Sequence, residues 1–293
     1  MMKPLLLALA AVVACSSSLL PAQVVVFSKE ELIKFTKDNP YERSADGRPR
    51  VPDALLEKVK GLSIEEAWGH LRNKGFVNQF ETGWQILHPE RKLVGRAVTV
   101  QFMPTRPDLQ GIADSEAIAK GLGKNGHQRV IDTLQEGDVL VADLFGKVEC
   151  GTIVGDNLAM AVFGRSKTGL VVDGGIRDLE GIFPIPMAAY YRGVHPSAIC
   201  NVMVTGVNVP IRIGQATVMP GDVVLGDRGG VGFIPPQFVQ EIVDKAEETH
   251  VHDEWTKEKL QTGKYRSSDI YPTPADPKLK AEYEEYKKKK LGK

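Results

Sequence analysis

The chain has 293 residues, of which 42% are hydrophobic and 25% are charged. This composition is that of an ordinary globular protein and allows one large domain or two small ones. Lysine and arginine total 37, as do aspartate and glutamate, so the formal net charge is zero. Because a nucleic-acid-binding protein usually carries a basic excess, the composition predicts no nucleic-acid partner.

The first 22 residues have the features of an export signal. Lys3 supplies a positive charge, and residues 5–14 form an apolar run that is too short to span a bilayer. Two processing routes stay open: cleavage after Ala22, or lipidation of Cys15, which follows a lipobox-like Val-Val-Ala sequence. Either route predicts an exported protein, in the periplasm or anchored by a lipid at the membrane surface. No later segment is apolar enough to predict a transmembrane span.

Residues 23–50 are predicted to form a helical N-terminal arm and linker. Ser28 begins a Ser-x-x-Glu capping box, in which the serine and glutamate side chains satisfy free N–H groups at a helix start. The same box recurs at Ser63, and Gly75 is placed to end that later helix. Another short helix is predicted to begin at Pro52.

Residues 51–255 alternate strand and helix patterns, which predicts a compact α/β domain without a strict β-α-β repeat. The sequence of residues 256–293 predicts a C-terminal tail that ends in a helix. Two glycine-containing turns near residue 225 flank apolar runs and predict a hairpin. The predicted strands are 93–102, 139–144, 169–173, 187–191, 202–209, 223–225 and 231–234, and the predicted helices are 126–134, 152–163, 237–260 and 278–290.

Cys150 and Cys200 are the cysteines beyond the predicted signal segment. In an oxidising compartment they can form one disulfide, but two buried free thiols are an equally good interpretation. Their spacing does not indicate a zinc site.

The sequence Val-Asp-Gly-Gly-Ile-Arg-Asp, residues 172–178, is the densest group of candidate functional residues. A buried strand runs into two glycines and then places Arg177 beside Asp178, and α/β folds carry their sites at such strand ends. An arginine binds a carboxylate with two parallel hydrogen bonds, and an aspartate offers hard oxygen to Mg²⁺ or Mn²⁺. The alternative is an Arg177–Asp178 ion pair that caps the next helix.

A second group lies at a predicted helix start. Gly155, Asp156, Asn157, Leu158 and Ala159 follow one another, and free N–H groups at such a start suit a substrate carboxylate or enolate oxygen. In the alternative interpretation Asp156 is only a helix cap. The residues alone leave both interpretations open.

The histidines give weaker indications. His250 and His252 lie beside Asp253 and Glu254, as in a metal cluster. Residues two apart do not share a helix face, so solvated positions on a helix are the preferred interpretation. His195 is interpreted as structural, because nothing around it supports a phosphohistidine.

The order Asp156, twenty residues, Arg177-Asp178 resembles the signature of the 4-hydroxy-4-methyl-2-oxoglutarate/4-carboxy-4-hydroxy-2-oxoadipate aldolases. These class II pyruvate aldolases share a family, called RraA-like, with the regulator of ribonuclease E activity A. The resemblance covers roughly residues 60–250. The other segments that carry it are 155–159, 169–178, 183–186, 191–193, 218–227 and 230–235.

The resemblance implies a swivelling β/β/α domain that forms homotrimers or homohexamers. It implies that Asp178 binds Mg²⁺ or Mn²⁺, that Arg177 holds the carboxylate of a 2-oxo acid, and that Asp156 orients a metal-bound water. Substrate oxygens would contact the backbone of Gly155, Asn157, Leu158 and Ala159. In the family a carboxylate from a neighbouring subunit completes the site, and Asp253 or Glu254 is a candidate for that role.

The activity implied is a divalent-metal-dependent lyase that cleaves a 4-hydroxy-2-oxo acid to pyruvate, with oxaloacetate decarboxylation as a side activity. The alternative is a non-catalytic binding protein similar to the ribonuclease regulator. A quinone methyltransferase is disfavoured, because the sequence lacks a glycine-rich strand–turn–helix for an S-adenosyl cofactor.

Overall fold

The structure is a computed structural model and describes residues 25–119 and 126–292. The predicted export signal, including Cys15 and Ala22, lies outside the described residues. Within the two described ranges, no helix has the length and apolar character needed to cross a bilayer.

Three short helices precede the central sheet, and both predicted capping boxes are confirmed. Ser28 Oγ accepts the Glu31 N–H at 3.2 Å, while Glu31 Oε2 accepts the Ser28 N–H at 2.8 Å. Ser63 and Glu66 make the same reciprocal pair. The elements up to this point are β1 (Val25–Val26), α1 (Lys29–Phe35), α2 (Asp53–Val59), α3 (Ile64–Asn73), β2 (Phe80–Glu81) and β3 (Gln85–Leu87).

Four parallel strands and the helices between them form the centre of the protein. They are β4 (Leu93–Pro104), α4 (Pro107–Ala119), α5 (Gly126–Asp132), β5 (Asp138–Thr152), α6 (Asp156–Ser166), β6 (Gly169–Ile176), α7 (Leu179–Ile182) and β7 (Ala188–Val194). Each parallel strand lies beside the next one along the chain. A β-α-β repeat is therefore present, contrary to the sequence prediction. The helix α7 is a single turn, too short to leave a readable period.

The remaining strands extend this sheet with antiparallel pairs. The hairpin of β11 and β12 pairs with β4 and confirms the predicted hairpin. The sheet runs β2-β12-β11-β4-β5-β6-β7-β3, with β8 on the later part of β4 and β1 on β8. A separate hairpin, β9–β10, packs on one face. The ranges are β8 (Val202–Val207), β9 (Ile211–Ile213), β10 (Ala216–Val218), β11 (Val223–Asp227) and β12 (Gly230–Ile234).

The two faces of the parallel strands bury alternate residues. Leu140 and Val172 pack with Val162 of α6 on one face. Val141 and Val171 pack with Ile213 of the β9–β10 hairpin on the other. Both faces are covered, which explains why the strands read as continuous apolar runs. Buried apolar surface of this kind provides most of the stabilisation of such a fold.

A long helix, α8 (Val239–Gln261), leads into α9 (Ser267–Ile270) and the terminal helix α10 (Pro277–Leu291). Trp255 of α8 packs on Tyr283 of α10 with ring centroids 5.3 Å apart, and Lys290 pairs with Glu254 at 2.6 Å. The arm and the tail are thus helical, and the predicted α/β class is confirmed. Position 255, where the sequence predicts the domain to end, lies inside α8.

Two local predictions are wrong. The helix predicted for residues 152–163 begins instead at Asp156, because residues up to Thr152 belong to β5. The connection between the strand predicted to end at Phe102 and the helix predicted to begin at Gly126, for which the sequence predicts no element, contains α4. In the first place, β5 continues beyond the apolar run 139–144 that marks it in the sequence.

Candidate active site

The candidate residues gather at the carboxyl ends of β5 and β6. Arg177 and Asp178 follow β6 directly, and Asp156 is the first residue of α6, four residues after β5 ends. The Arg177 N–H donates to Val154 O at 3.1 Å, and the Ile153 N–H donates to Gly175 O at 3.2 Å. These backbone bonds bring the two sequence segments together, at the edge where α/β folds form ligand sites.

Gly174 and Gly175 serve a packing role that the sequence leaves undecided. Both lie within β6, which runs on to Ile176. A Cβ on Gly174 would lie 2.7 Å from Leu144 Cβ, and one on Gly175 would lie 2.8 Å from Val148 O. The glycines therefore let the far part of β5 approach β6 closely. They contact the chain itself, so a direct role in ligand approach is not needed to explain them.

Gly155 and Asp178 are in close contact. Asp178 adopts a left-handed conformation, with φ of 58°, which is rare for a residue other than glycine. Its carboxylate lies where a Cβ on Gly155 would stand, and Arg177 Nε would be 3.2 Å from that atom. The absence of a side chain at Gly155 therefore leaves the space that the Arg177–Asp178 pair occupies, and we call this space the cradle.

The alternative of a purely structural Arg177–Asp178 pair has little support. Asp178 occupies the cap position of α7, but its side chain makes no capping hydrogen bond. Arg177 Nε and Asp178 Oδ2 are 3.6 Å apart, and their side chains are 39% and 42% exposed. An exposed pair at this distance contributes little to stability. Both groups are open to a ligand.

Asp156 lies against the other side of α7. Its Oδ1 accepts the Asn157 N–H at 2.7 Å, so the cap-like interpretation is partly right. Its Oδ2 would be 2.7 Å from a Cβ on Gly181, the third residue of α7. The Gly181 N–H in turn donates to Asp178 O at 3.0 Å. One short helical turn thus separates the two carboxylates.

Two of the backbone N–H groups predicted to contact the substrate donate hydrogen bonds to other groups of this chain. The Ala159 N–H donates to Gly155 O at 2.9 Å, and the Asn157 N–H donates to Asp156. Both N–H groups therefore already have a partner within the chain, and the predicted substrate contacts of Asn157 and Ala159 would compete with these bonds. The Leu158 N–H lies in the first turn of α6, where no intrahelical carbonyl can accept it.

Two buried carboxylates lie beneath the site and are not free for it. Asp173 and Asp143 are neighbours across β6 and β5. Asp173 accepts from Arg192 Nε at 2.7 Å, and Arg192 stacks on Trp84 at 3.8 Å. Burial, and then the charge of Asp173, raise the pKa of Asp143. The Asp173–Arg192 pair is structural.

The donors at the edge suit a hard divalent cation. Mg²⁺ commonly binds one or two carboxylates and keeps several waters. Asp178 offers such a carboxylate, open to solvent and cradled by Gly155. Among the described residues, no group of three or more histidine, cysteine or acidic side chains is arranged around a metal position. The exposed Asp178 carboxylate therefore fits a cation that keeps several waters.

The candidates on α8 are engaged elsewhere within this chain. Glu254 accepts from Lys290 at 2.6 Å, a bond that lowers the pKa of Glu254. Asp253 lies 3.7 Å from Lys257. His250 pairs with Glu66 and is half exposed, as predicted. His252 instead packs on Tyr283 at 5.2 Å with a buried Nε2, so its interpretation as solvated is wrong.

A disulfide and the serine beside it lie close to the site, and the sequence does not decide the first or indicate the second. Cys150 and Cys200 form a disulfide, so the interpretation as free thiols is wrong. Ser197 lies beside it and accepts the Cys150 N–H at 2.8 Å. His195 pairs with Ser197 at 2.9 Å, in agreement with its predicted structural role. No sequence signal marks Ser197.

Comparisons with known proteins identify similar chains. A relative in Halalkalibacterium halodurans named "Putative 4-hydroxy-4-methyl-2-oxoglutarate aldolase" is 33% identical over 164 residues, which are 54% of this chain and 75% of that protein. Protein DlpA of Legionella pneumophila is 28% identical over 173 residues, 59% of this chain. That match spans only 26% of the length of DlpA.

A solved structure and a family model complete the comparison. The crystal structure of Streptomyces coelicolor RraAS2, an unusual member of the RNase ES inhibitor RraA protein family, matches with a TM-score of 0.60 and 27% identity. The match covers 74% of this chain and 99% of that chain. The RraA-like family model, described as Aldolase/RraA, matches residues 51–232. This chain therefore belongs to the RraA-like family of aldolases and RraA proteins.

Proposed function

We propose that this protein is a divalent-metal-dependent lyase that cleaves a 4-hydroxy-2-oxo acid to pyruvate and also decarboxylates oxaloacetate. The observation that carries the proposal is the open edge that holds Arg177 and Asp178, with neither side chain of this pair consumed by a structural bond and with Asp156 across the short helix α7. The aldolase name of the H. halodurans relative supports the same chemistry.

Both reactions leave the enolate of pyruvate, so the site must stabilise a new negative charge. A divalent cation held by Asp178 supplies Lewis-acid stabilisation of that charge. Arg177 adds a fixed positive charge, and its guanidinium can hold the carboxylate of the 2-oxo acid through two parallel hydrogen bonds. Among the described residues, the Arg177 side chain pairs only with Asp178, which leaves its outer nitrogens for the substrate.

Asp156 is the group that we assign to the proton of the cleaved 4-hydroxyl. Its carboxylate is half-buried and, among the residues that the structure describes, accepts only the neighbouring backbone N–H of Asn157. We propose that it takes this proton, directly or through one water. General-base transfer of this kind typically contributes about 10²–10⁴-fold in rate. The Leu158 N–H is a first-turn donor that could contact a substrate oxygen.

The assay measures pyruvate release from 4-hydroxy-4-methyl-2-oxoglutarate and from oxaloacetate, with a coupled lactate dehydrogenase readout. Reactions contain Mg²⁺, Mn²⁺ or EDTA. We expect release that requires the metal and is abolished by EDTA. Silence with both substrates and both metals would refute the lyase and favour a non-catalytic binding protein similar to RraA.

We further propose that the protein is exported and assembles as a homotrimer or homohexamer. The Cys150–Cys200 disulfide supports an oxidising compartment. Three exposed apolar side chains beside the site, Met160, Phe183 and Val194, support contact with another subunit. N-terminal sequencing of the mature protein and light scattering after gel filtration test the two proposals. An uncleaved N-terminus without lipid, or a stable monomer, would contradict them.

A further inference from the structure

A short segment connects the disulfide to the candidate site. Residues 150–155, here called the tether, begin at Cys150 and end at Gly155, just before Asp156. Two backbone bonds hold the tether against the end of β6: the Ile153 N–H donates to Gly175 O, and Val154 O accepts from the N–H of Arg177, the residue after β6. Its end, Gly155, cradles Asp178. Every residue proposed for catalysis is thus in contact with the tether or directly follows it.

The outer end of the tether is held by a separate set of contacts. Cys150 is disulfide-bonded to Cys200, and the Cys200 N–H donates to Cys150 O at 2.9 Å. Ser197 Oγ accepts the Cys150 N–H at 2.8 Å, and the Thr152 hydroxyl donates to Ser197 O. These groups come from the connection between β7 and β8, which is distant in sequence. The connection therefore fixes the tether from outside the site.

Cys150 needs this support because of its backbone conformation. Its φ of 57° lies in the left-handed region, which residues other than glycine seldom adopt. The next residue is Gly151, where a Cβ would overlap Lys147 O, so the chain turns very tightly here. Without the disulfide and the Ser197 contacts, the backbone of this turn could relax to less tightly turned conformations. Each of these would shift the residues that follow.

We propose that the Cys150–Cys200 disulfide and Ser197 are positioning groups that set the geometry of Asp156, Arg177 and Asp178 through the tether, so that reduction of the disulfide lowers turnover. A dithiol provides two electrons and two protons, the S–S bond becomes two thiols, and the dithiol becomes a disulfide. Cys200 is exposed and thus accessible to such a reductant. The inference about turnover rests on the proposed lyase activity, whereas the inference about geometry does not.

The test compares oxidised protein, dithiothreitol-reduced protein and a Cys150→Ser/Cys200→Ser double variant. Three properties are measured: kcat and KM for pyruvate release, amide hydrogen exchange of residues 153–158 and 175–178, and Mn²⁺ affinity by calorimetry after removal of the dithiol. We expect kcat to fall about tenfold or more on reduction, since small misplacements of reacting groups have effects of this order. Exchange should accelerate at the tether, and the double variant should not respond to dithiothreitol.

A second variant keeps the test decisive if reduction unfolds the protein. Ser197→Ala retains the disulfide but loses the hydroxyl that accepts the Cys150 N–H, so kcat should fall and tether exchange should rise. Ser197→Thr keeps a hydroxyl and should restore both. Ser268→Ala, at an exposed position on α9, is the matched control and should resemble the wild type.

The outcomes separate this inference from the lyase proposal. If the oxidised protein releases no pyruvate, the lyase proposal fails, while exchange and Mn²⁺ affinity still test the tether. If the reduced protein and Ser197→Ala both retain wild-type kcat, exchange and Mn²⁺ affinity, the tether does not position the site and the inference is overturned.

Discussion

Replacing Gly155 with alanine perturbs the cradle without removing any proposed catalytic group. The new Cβ would overlap Asp178 Oδ2 and lie 3.2 Å from Arg177 Nε. Carbon and oxygen atoms normally stay about 3.5 Å apart, so the Asp178 carboxylate must move by on the order of 1 Å. The obstructing atom is the end of a half-exposed side chain, so movement is easy. Overpacking should therefore cost only about 1 kcal/mol in the free energy of unfolding.

The effect on activity should be much larger than the effect on stability. A displacement of about 1 Å in a positioning group lowers turnover by up to about 10²-fold. We expect Gly155→Ala to release pyruvate at least tenfold more slowly and to bind Mn²⁺ more weakly, with a melting temperature lowered by only about 2–4 °C. The measurements are the coupled pyruvate assay, calorimetry with Mn²⁺ and thermal unfolding by circular dichroism.

Gly164 provides a matched control in the same helix. A Cβ there meets no atom within 4 Å. Gly164→Ala should be as active as the wild type and more stable by up to about 1 kcal/mol, since alanine favours a helix over glycine. If Gly155→Ala retained full activity and Mn²⁺ affinity, the assignment of Asp178 and Arg177 to the site would be refuted.

Three other substitutions test separate groups. Asp178→Asn should abolish Mn²⁺ binding in calorimetry together with pyruvate release, because the amide lacks the charge that holds the cation; a metal-responsive variant would contradict the ligand assignment. Arg177→Lys should raise the KM for the 2-oxo acid about tenfold or more with little change in stability, because lysine cannot form two parallel hydrogen bonds; an unchanged KM would exclude carboxylate binding. Burial raises the pKa of Asp222 to about 7. The folded protein then keeps this proton up to about pH 7, whereas the unfolded chain loses it near pH 4. Stability conferred by Asp222 protonation should therefore fall as pH rises from about 4 to 7. Asp222→Asn, which retains an acceptor for the Met219 N–H, should remove this dependence and raise the free energy of unfolding at pH 8 by on the order of 1–4 kcal/mol. Urea unfolding at pH 5 and pH 8 measures the difference, and equal pH slopes in both proteins would show the pKa shift to be absent.

Local signals in the sequence predict much of the fold. The capping boxes at Ser28 and Ser63 involve residues three apart, so the sequence contains all the partners. The β11–β12 hairpin is likewise marked by its own turns. The end of β5 is not predictable in this way. Phe145 and Gly146 both have positive φ, and the strand continues beyond them only because Lys147 and Thr152 pair with Gly174 and Gly175.

In the candidate site, too, some positions are marked by local sequence signals and others depend on contacts between distant segments. Arg177 and Asp178 are adjacent in sequence and follow a recognisable buried strand, so their position is predictable. Asp156 is separated from Arg177 by twenty intervening residues, and its place beside α7 depends on Gly181, which carries no sequence signal of its own. The choice between a disulfide and two thiols depends on the separation of Cys150 and Cys200 in the fold, with Cα atoms 4.7 Å apart.

Backbone contacts, more than side-chain bonds, determine where the two carboxylates lie. Within the described parts of the chain, Asp178 makes no capping bond, and Asp156 bonds only to the next N–H along the chain. Their positions follow from the bonds that Ile153 and Arg177 make between the tether and β6, and from two glycines that admit each carboxylate closely. A site built in this way has side chains free for a cation and substrate, but it depends on the backbone around it. For this reason glycine substitutions and changes at the tether should affect turnover more strongly than they affect stability.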